Sequence, residues 1–231
     1  MTPRRFSSDD SSVVAGASRI AGGVLEGVFA SVARLRPAAK PLHPRGETLT
    51  ATVTRSGLRP AVGVPWIDES GVDDAQVRLS RAVGLPRGWP DIFGLALRVP
   101  DAEGFGDVLF ATTGRGLIGR FVLLPGRSTT SWMYTTLIPY RTASGPLILA
   151  ADPDGPNAFM LACARPTGAW RLFGRLVLEP SPAFGADDTD HIGPAFDPVL
   201  NQLPGLSYYP WAGRLREGSY RAARRSRKAR S

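Results

Sequence analysis

Residues 47–55 read Glu-Thr-Leu-Thr-Ala-Thr-Val-Thr-Arg. Leu49, Ala51 and Val53 alternate with Thr48, Thr50, Thr52 and Thr54, a two-residue period that turns the apolar set to one face of a strand and the threonines to the other. Valine and threonine, both β-branched, suit such a half-buried pleated surface. Downstream, strand patterns follow at 76–81, 93–99, 106–112, 133–142, 146–151, 158–165 and 169–178, most of them separated by Pro-Asp, Ser-Gly, Asp-Pro-Asp-Gly or Pro-Thr-Gly turns. Eight antiparallel strands close most simply into a barrel, whose interior just holds its own side chains or one ligand and which leaves no open sheet edge. A two-sheet sandwich is the alternative reading.

Upstream of the quoted stretch, residues 1–12 are polar and read as a disordered tail. Val13, Ile20, Val24, Val28 and Leu35 then recur at helical spacing, although Gly22, Gly23 and Gly27 weaken that helix and Pro37 and Pro41 end it. Beyond the last strand, residues 180–210 are rich in proline, glycine and aspartate and read as a connection wrapping the surface, followed by a helix over 211–228. The expected fold is α+β, mainly β: an eight-stranded antiparallel barrel over about 46–180 with an N-terminal and a C-terminal helix, in one domain spanning 13–231.

At 231 residues, with 43% hydrophobic and 21% charged residues, the chain has the composition of a soluble globular protein. No apolar run reaches the ~18 residues needed to cross a bilayer, and the N-terminus lacks the apolar core of a secretory signal, so a cytoplasmic protein without a membrane span is expected. Cys163, the single cysteine, excludes an intramolecular disulfide and a cysteine zinc cage, and reads as a small buried residue of the run Ala-Phe-Met-Leu-Ala-Cys-Ala. Two histidines, His43 and His191, are too few for a metal site of several imidazoles. His191 lies in a polar loop and reads as solvent-facing. The net charge of +8 is carried almost wholly by arginine, much of it in the terminal Arg-Ala-Ala-Arg-Arg-Ser-Arg-Lys-Ala-Arg-Ser. Such a tail could bind a polyanion through counterion release, or be a solvated helix end with cations at its negative pole.

His43 stands in a proline-flanked segment directly before the first strand, where the backbone is restricted. The run His43-Pro-Arg-Gly46-Glu-Thr-Leu-Thr-Ala-Thr-Val53-Thr54 resembles the segment of haem catalases that carries the catalytic histidine, with its glycine three residues on and its strand closing in Val-Thr. Lys40 stands where catalases have a basic residue that meets a haem propionate. Val77-Arg78-Leu79-Ser80-Arg81 resembles the catalase strand Val-Arg-Phe-Ser-Thr, whose arginine binds a propionate and whose serine bonds to the catalytic histidine. Arg78 and Ser80 share a face by the strand period. Pro90–Arg98 and Gly106–Phe110 are similar to the two strands that follow in catalases.

At the C-terminus, Arg216, Tyr220, Arg224 and Arg227 are spaced four, four and three, which puts them on one helix face. The short catalase-related peroxidases end in this way. The resemblance, running over roughly 38–230, implies haem b with Tyr220 as the iron ligand. A phenol of pKa near ~10 ligates poorly unless ionised, and Arg216 one turn away favours the phenolate. Arg227 and Arg224 would reach a propionate. His43 would be general base and then acid toward hydrogen peroxide or an organic peroxide, with Ser80 holding its tautomer.

The stretch Phe110-Ala111-Thr112-Thr113 departs from the family, having no counterpart to the distal asparagine. Thr112 is the weak substitute expected there. Loss of a preorganised donor costs orders of magnitude in rate, which favours peroxidase turnover over fast dismutation. Leu42 is apolar, as in peroxide-consuming catalases, where the allene oxide synthase branch has threonine. Three other readings stay open: a non-catalytic haem-binding protein, a phosphodiester hydrolase using His43 with Asp73, Asp74, Asp91 and Asp107, and a polyanion binder acting through the tail. Nucleic acid is not the expected partner, and a homodimer is allowed without being required.

Overall fold

A computed structural model describes residues 45–82, 88–102, 104–179, 195–210 and 212. The chain divides into two units, Met1–Lys40 and Pro41–Ser231, and everything described lies in the second. The N-terminal tail and helix fall outside the described residues, as does the C-terminal helix apart from Ala212.

Nine strands follow one another: β1 (Arg45–Ser56), β2 (Ser70–Arg81), β3 (Phe93–Asp101), β4 (Gly104–Thr113), β5 (Met133–Thr135), β6 (Tyr140–Thr142), β7 (Gly145–Pro153), β8 (Ala158–Ala164) and β9 (Arg171–Leu178). A single helical turn, α1 (Pro65–Asp68), with Pro65 in its first position, links β1 to β2. Strands pair in the order β5-β4-β3-β2-β1-β9-β8-β7, and β5 pairs back onto β7 through Tyr134 and Ala151. This is a closed, wholly antiparallel eight-stranded barrel, with β6 added beside β7.

All eight expected strands are present, with two adjustments. The pattern at 133–142 is two strands, because Leu137 has a φ of 58° and Pro139 lacks an N–H, so the ladder cannot run through. β2 begins at Ser70, ahead of the alternation at 76–81, and its early part carries Asp73 on the apolar side. Arg55 neutralises that carboxylate with two hydrogen bonds of 2.7 and 3.0 Å, and Trp66 Nε1 donates a third at 2.9 Å.

The barrel is filled from its walls. Leu49, Ala51 and Val53 of β1 meet Val77 and Leu79 of β2, Leu95 and Leu97 of β3, Val108 and Phe110 of β4, and Leu161 and Leu176 from the far side. Each fully buried aliphatic or aromatic side chain contributes about 1.5–3 kcal/mol. Trp66 and Ile67 of α1 close one end, Trp66 meeting the ring of Phe173 edge-on at 5.4 Å. The segment 195–210 lies against β4, and its Leu203 and Leu206 join the hydrophobic core. It is anchored by Asp107, which accepts from Asp197 N and Asn201 Nδ2, and by backbone bonds between Ser207 and Arg141.

Candidate functional site

Strand register assembles the site. Gly46, Ser80, Gly94 and Ala111 are consecutive partners across β1, β2, β3 and β4, and Thr48, Arg78, Ala96 and Leu109 form the next row. The residues between these rows, Leu79, Leu95 and Phe110, are core, so both rows lie on the outer face of the barrel. Arg78 and Ser80, two residues apart on β2, therefore share this face. Three interstrand gaps of about 4.8 Å make the patch roughly 14 Å wide. Four of its eight residues, Gly46, Gly94, Ala96 and Ala111, have no side chain or a single methyl, so relief is low there, while a guanidinium and two hydroxyls stand on the β1–β2 half and Leu109 at the β4 edge.

Gly46 keeps the arginine and serine in place. A Cβ there would lie 2.8 Å from Arg78 Nε, 2.8 Å from the Leu79 carbonyl oxygen and 3.0 Å from Ser80 Cβ. The Ser80 hydroxyl reaches the Gly94 carbonyl at 3.4 Å, the long end of the hydrogen-bond range. Beside them, Thr48 Oγ1 is buried without a hydrogen-bond partner. Sequence reasoning did not single out Thr48, although the strand period that pairs Arg78 with Ser80 also places Thr48 beside Gly46.

Thr112, expected from the sequence as a weak substitute for a distal amide, lies on the inner side of the wall. Its neighbour Ala111 belongs to the outer row, so Thr112 faces inward with Phe110 and is fully buried. Its hydroxyl accepts from Phe93 N at 3.2 Å and donates to the Leu124 carbonyl at 2.8 Å, cross-linking three segments. It offers nothing to the outer face, and the position that would is a methyl group. Lys40, His43, His191, Arg216, Tyr220, Arg224 and Arg227 lie outside the described residues.

Further along the same face the charges are spent on one another. Arg98 and Asp107 make two 2.7 Å hydrogen bonds, and the guanidinium stacks 3.8 Å from the centre of the Phe105 ring. The aspartates weighed for a hydrolase do not converge: Asp73 is bound to Arg55, Asp107 to Arg98, and Asp91 lies 3.4 Å from Arg81. Among the described residues, no three His, Cys, Asp or Glu side chains stand close enough to hold a metal ion. A site of this kind offers a planar shelf, a cation and hydroxyls, which suits a flat ligand with an anionic edge.

No protein-family model and no curated protein matches the sequence. Solved structures do match in fold. A bacterial catalase aligns with a TM-score of 0.56 at 12% identity, over 96% of this chain and 61% of that one. A fungal catalase gives 0.55 and 12%, over 83% and 60%. Catalase A from Saccharomyces cerevisiae gives 0.57 and 10%, over 95% and 64%. The chain thus has a catalase-like fold and spans about three fifths of the length of these catalases.

Proposed function

We propose that this catalase-like barrel holds haem b on the outer face of β1–β4 and consumes peroxide, either hydrogen peroxide or an organic peroxide. The observation that carries the reading is the pair of neighbouring outer rows in which the small residues Gly46, Gly94, Ala96 and Ala111 stand beside Arg78 and Ser80. A macrocycle with two carboxylate arms needs such a shelf and a cation at its edge. The buried Thr48 hydroxyl fits the same ligand, because it has no hydrogen-bond partner among the described residues.

Bound there, haem would supply the iron redox chemistry of peroxide cleavage. Arg78, together with Lys40, Arg224 and Arg227, would pair with the propionates. Tyr220 would provide the anionic oxygen ligand, and Arg216 would lower the cost of ionising it. Ser80 fixes the tautomer of His43, which takes a proton from one peroxide oxygen and returns it to the other. Ala111 would offer a methyl and no amide donor to a ligand on this face, which favours slow peroxidase turnover over rapid dismutation. That same methyl favours a second reading, in which haem is bound without turnover.

The test is to produce the protein with haem supplied and record its absorption spectrum beside Tyr220→Phe. A ferric spectrum altered in the variant supports the ligand assignment, and peroxide consumption faster than free haem, lost in His43→Ala, supports the enzyme. Turnover no faster than free haem leaves the non-catalytic reading, and no haem uptake sinks both.

A further inference from the structure

Where β8 ends and β9 begins, at the opposite end of β1 and β9 from the Arg78–Ser80 face, a cavity of about 300 Å³ opens between residues 60–62 and the β8–β9 turn. That volume is at the lower end of the range for small-molecule sites. Its walls are Pro60, Ala61, Val62, Leu147, Ala164 and Ala169, with Cys163 at the inner side. Cys163 is fully buried, and burial pushes its thiol up to about 11, so it is neutral near pH 7 and adds no negative charge.

Two arginines stand at the rim, fixed from different directions. Arg171 Nη2 donates to the Pro60 carbonyl at 2.6 Å, and Arg165 Nη2 to the Ser144 carbonyl at 3.3 Å. A guanidinium has five N–H groups, and among the described residues each of these arginines donates only one, to the carbonyls named. Neither has a carboxylate partner among the described residues. Asp68, an acid whose charge is felt at Cys163, has its carboxylate turned onto the backbone N–H groups of Val62, Gly63 and Val64. The wall bearing Arg165 is itself clamped. Buried Arg120 donates to the Arg165 and Gly168 carbonyls at 3.2 and 2.9 Å and stacks 4.3 Å from the Trp170 ring centre.

We propose that this cavity binds a small organic carboxylate with an apolar body, the carboxylate meeting Arg165 and Arg171 and the body lying against the alanine and proline walls. Two cations without acid partners over an apolar pocket match that chemistry, whereas a bare inorganic anion would leave the walls unfilled and a neutral molecule would leave the arginines unpaired. The site is independent of haem.

Benzoate, benzamide and inorganic phosphate are titrated separately into the full-length protein by calorimetry, with amide chemical shifts locating the contact. Benzoate should saturate with Kd at or below about 1 mM, at least tenfold tighter than the other two. The shifts should fall on residues 60–62 and 163–171. The double variant Arg165→Gln/Arg171→Gln should weaken benzoate at least tenfold, and Ala61→Trp, which fills the cavity and keeps both arginines, should abolish it. Binding should persist in Arg78→Ala, which separates this proposal from the haem reading. No saturation by about 10 mM, or equal binding of benzamide or phosphate, overturns the proposal. So does undiminished binding to folded Ala61→Trp.

Discussion

Gly46 lies opposite Ser80 across the β1–β2 ladder, so close that a methyl on its Cα would sit 2.8 Å from the Leu79 carbonyl oxygen and 3.0 Å from Ser80 Cβ. A backbone carbonyl cannot swing aside, so Gly46→Ala must shift the start of β1 or β2. The expected cost is about 1–3 kcal/mol in urea unfolding. Because Arg78 Nε is equally close, haem uptake should fall more than stability alone explains. A variant as stable as wild type would show that the two strands do not approach this closely.

Thr48→Val gives the opposite sign. A buried hydroxyl without a partner costs free energy, so exchanging it for a methyl of the same shape should stabilise the haem-free protein by about 1 kcal/mol. In haem-loaded protein the gain should shrink or reverse if the hydroxyl meets the ligand. Paired unfolding curves with and without haem read both numbers.

Asp107 holds the outside of the barrel together. Its side chain is fully buried and accepts two bonds from Arg98, one from Asp197 N at 2.7 Å and one from Asn201 Nδ2 at 2.8 Å. Asp107→Ala leaves a mostly buried guanidinium without its counter-charge and should cost about 3–5 kcal/mol. Hydrogen exchange of residues 197–206 should accelerate, because their anchor is gone, while the β7–β8 ladder exchanges as before. Uniform acceleration would mean that this segment does not open separately from the barrel.

Much of this architecture is legible in the sequence, because a barrel wall buried on one side forces strict alternation on most strands. Where the code is broken, reading stops short. The first half of β2 is hidden by Asp73, an acid on the apolar face that is tolerated only through Arg55 and Trp66. Leu137 and Pro139 split a run that alternation alone would leave whole. Arg78 and Ser80 are readable as partners because two residues is the strand period. Thr112 and Ala111 show how sharply the strand period separates faces, since one residue along the strand moves a side chain from one side of the wall to the other. Thr48 could not be weighted, since lack of a partner is a property of the packed structure. His43 and Tyr220 rest on the sequence resemblance.

Alkaline pH should unfold the protein partly through Cys163. An ordinary thiol titrates near 9.0, and burial raises this one to about 11. Below pH 9 both folded and unfolded thiols are protonated, so the group adds no pH dependence. Between 9 and 11 the unfolded chain releases a proton that the folded chain keeps, so unfolding free energy falls as pH rises, by roughly 2–3 kcal/mol in all. Above 11 both states are ionised and the thiol's contribution levels off. Tyr134 adds to the loss at higher pH, because burial raises its phenol too, while its hydroxyl donates to the Thr129 carbonyl at 2.7 Å. Cys163→Ala removes the thiol and creates a small cavity, so it should be less stable than wild type at pH 7, yet the difference should narrow between pH 9 and 11. Urea midpoints for the two proteins across that range measure it directly, and parallel curves would mean that the folded thiol titrates at its ordinary value.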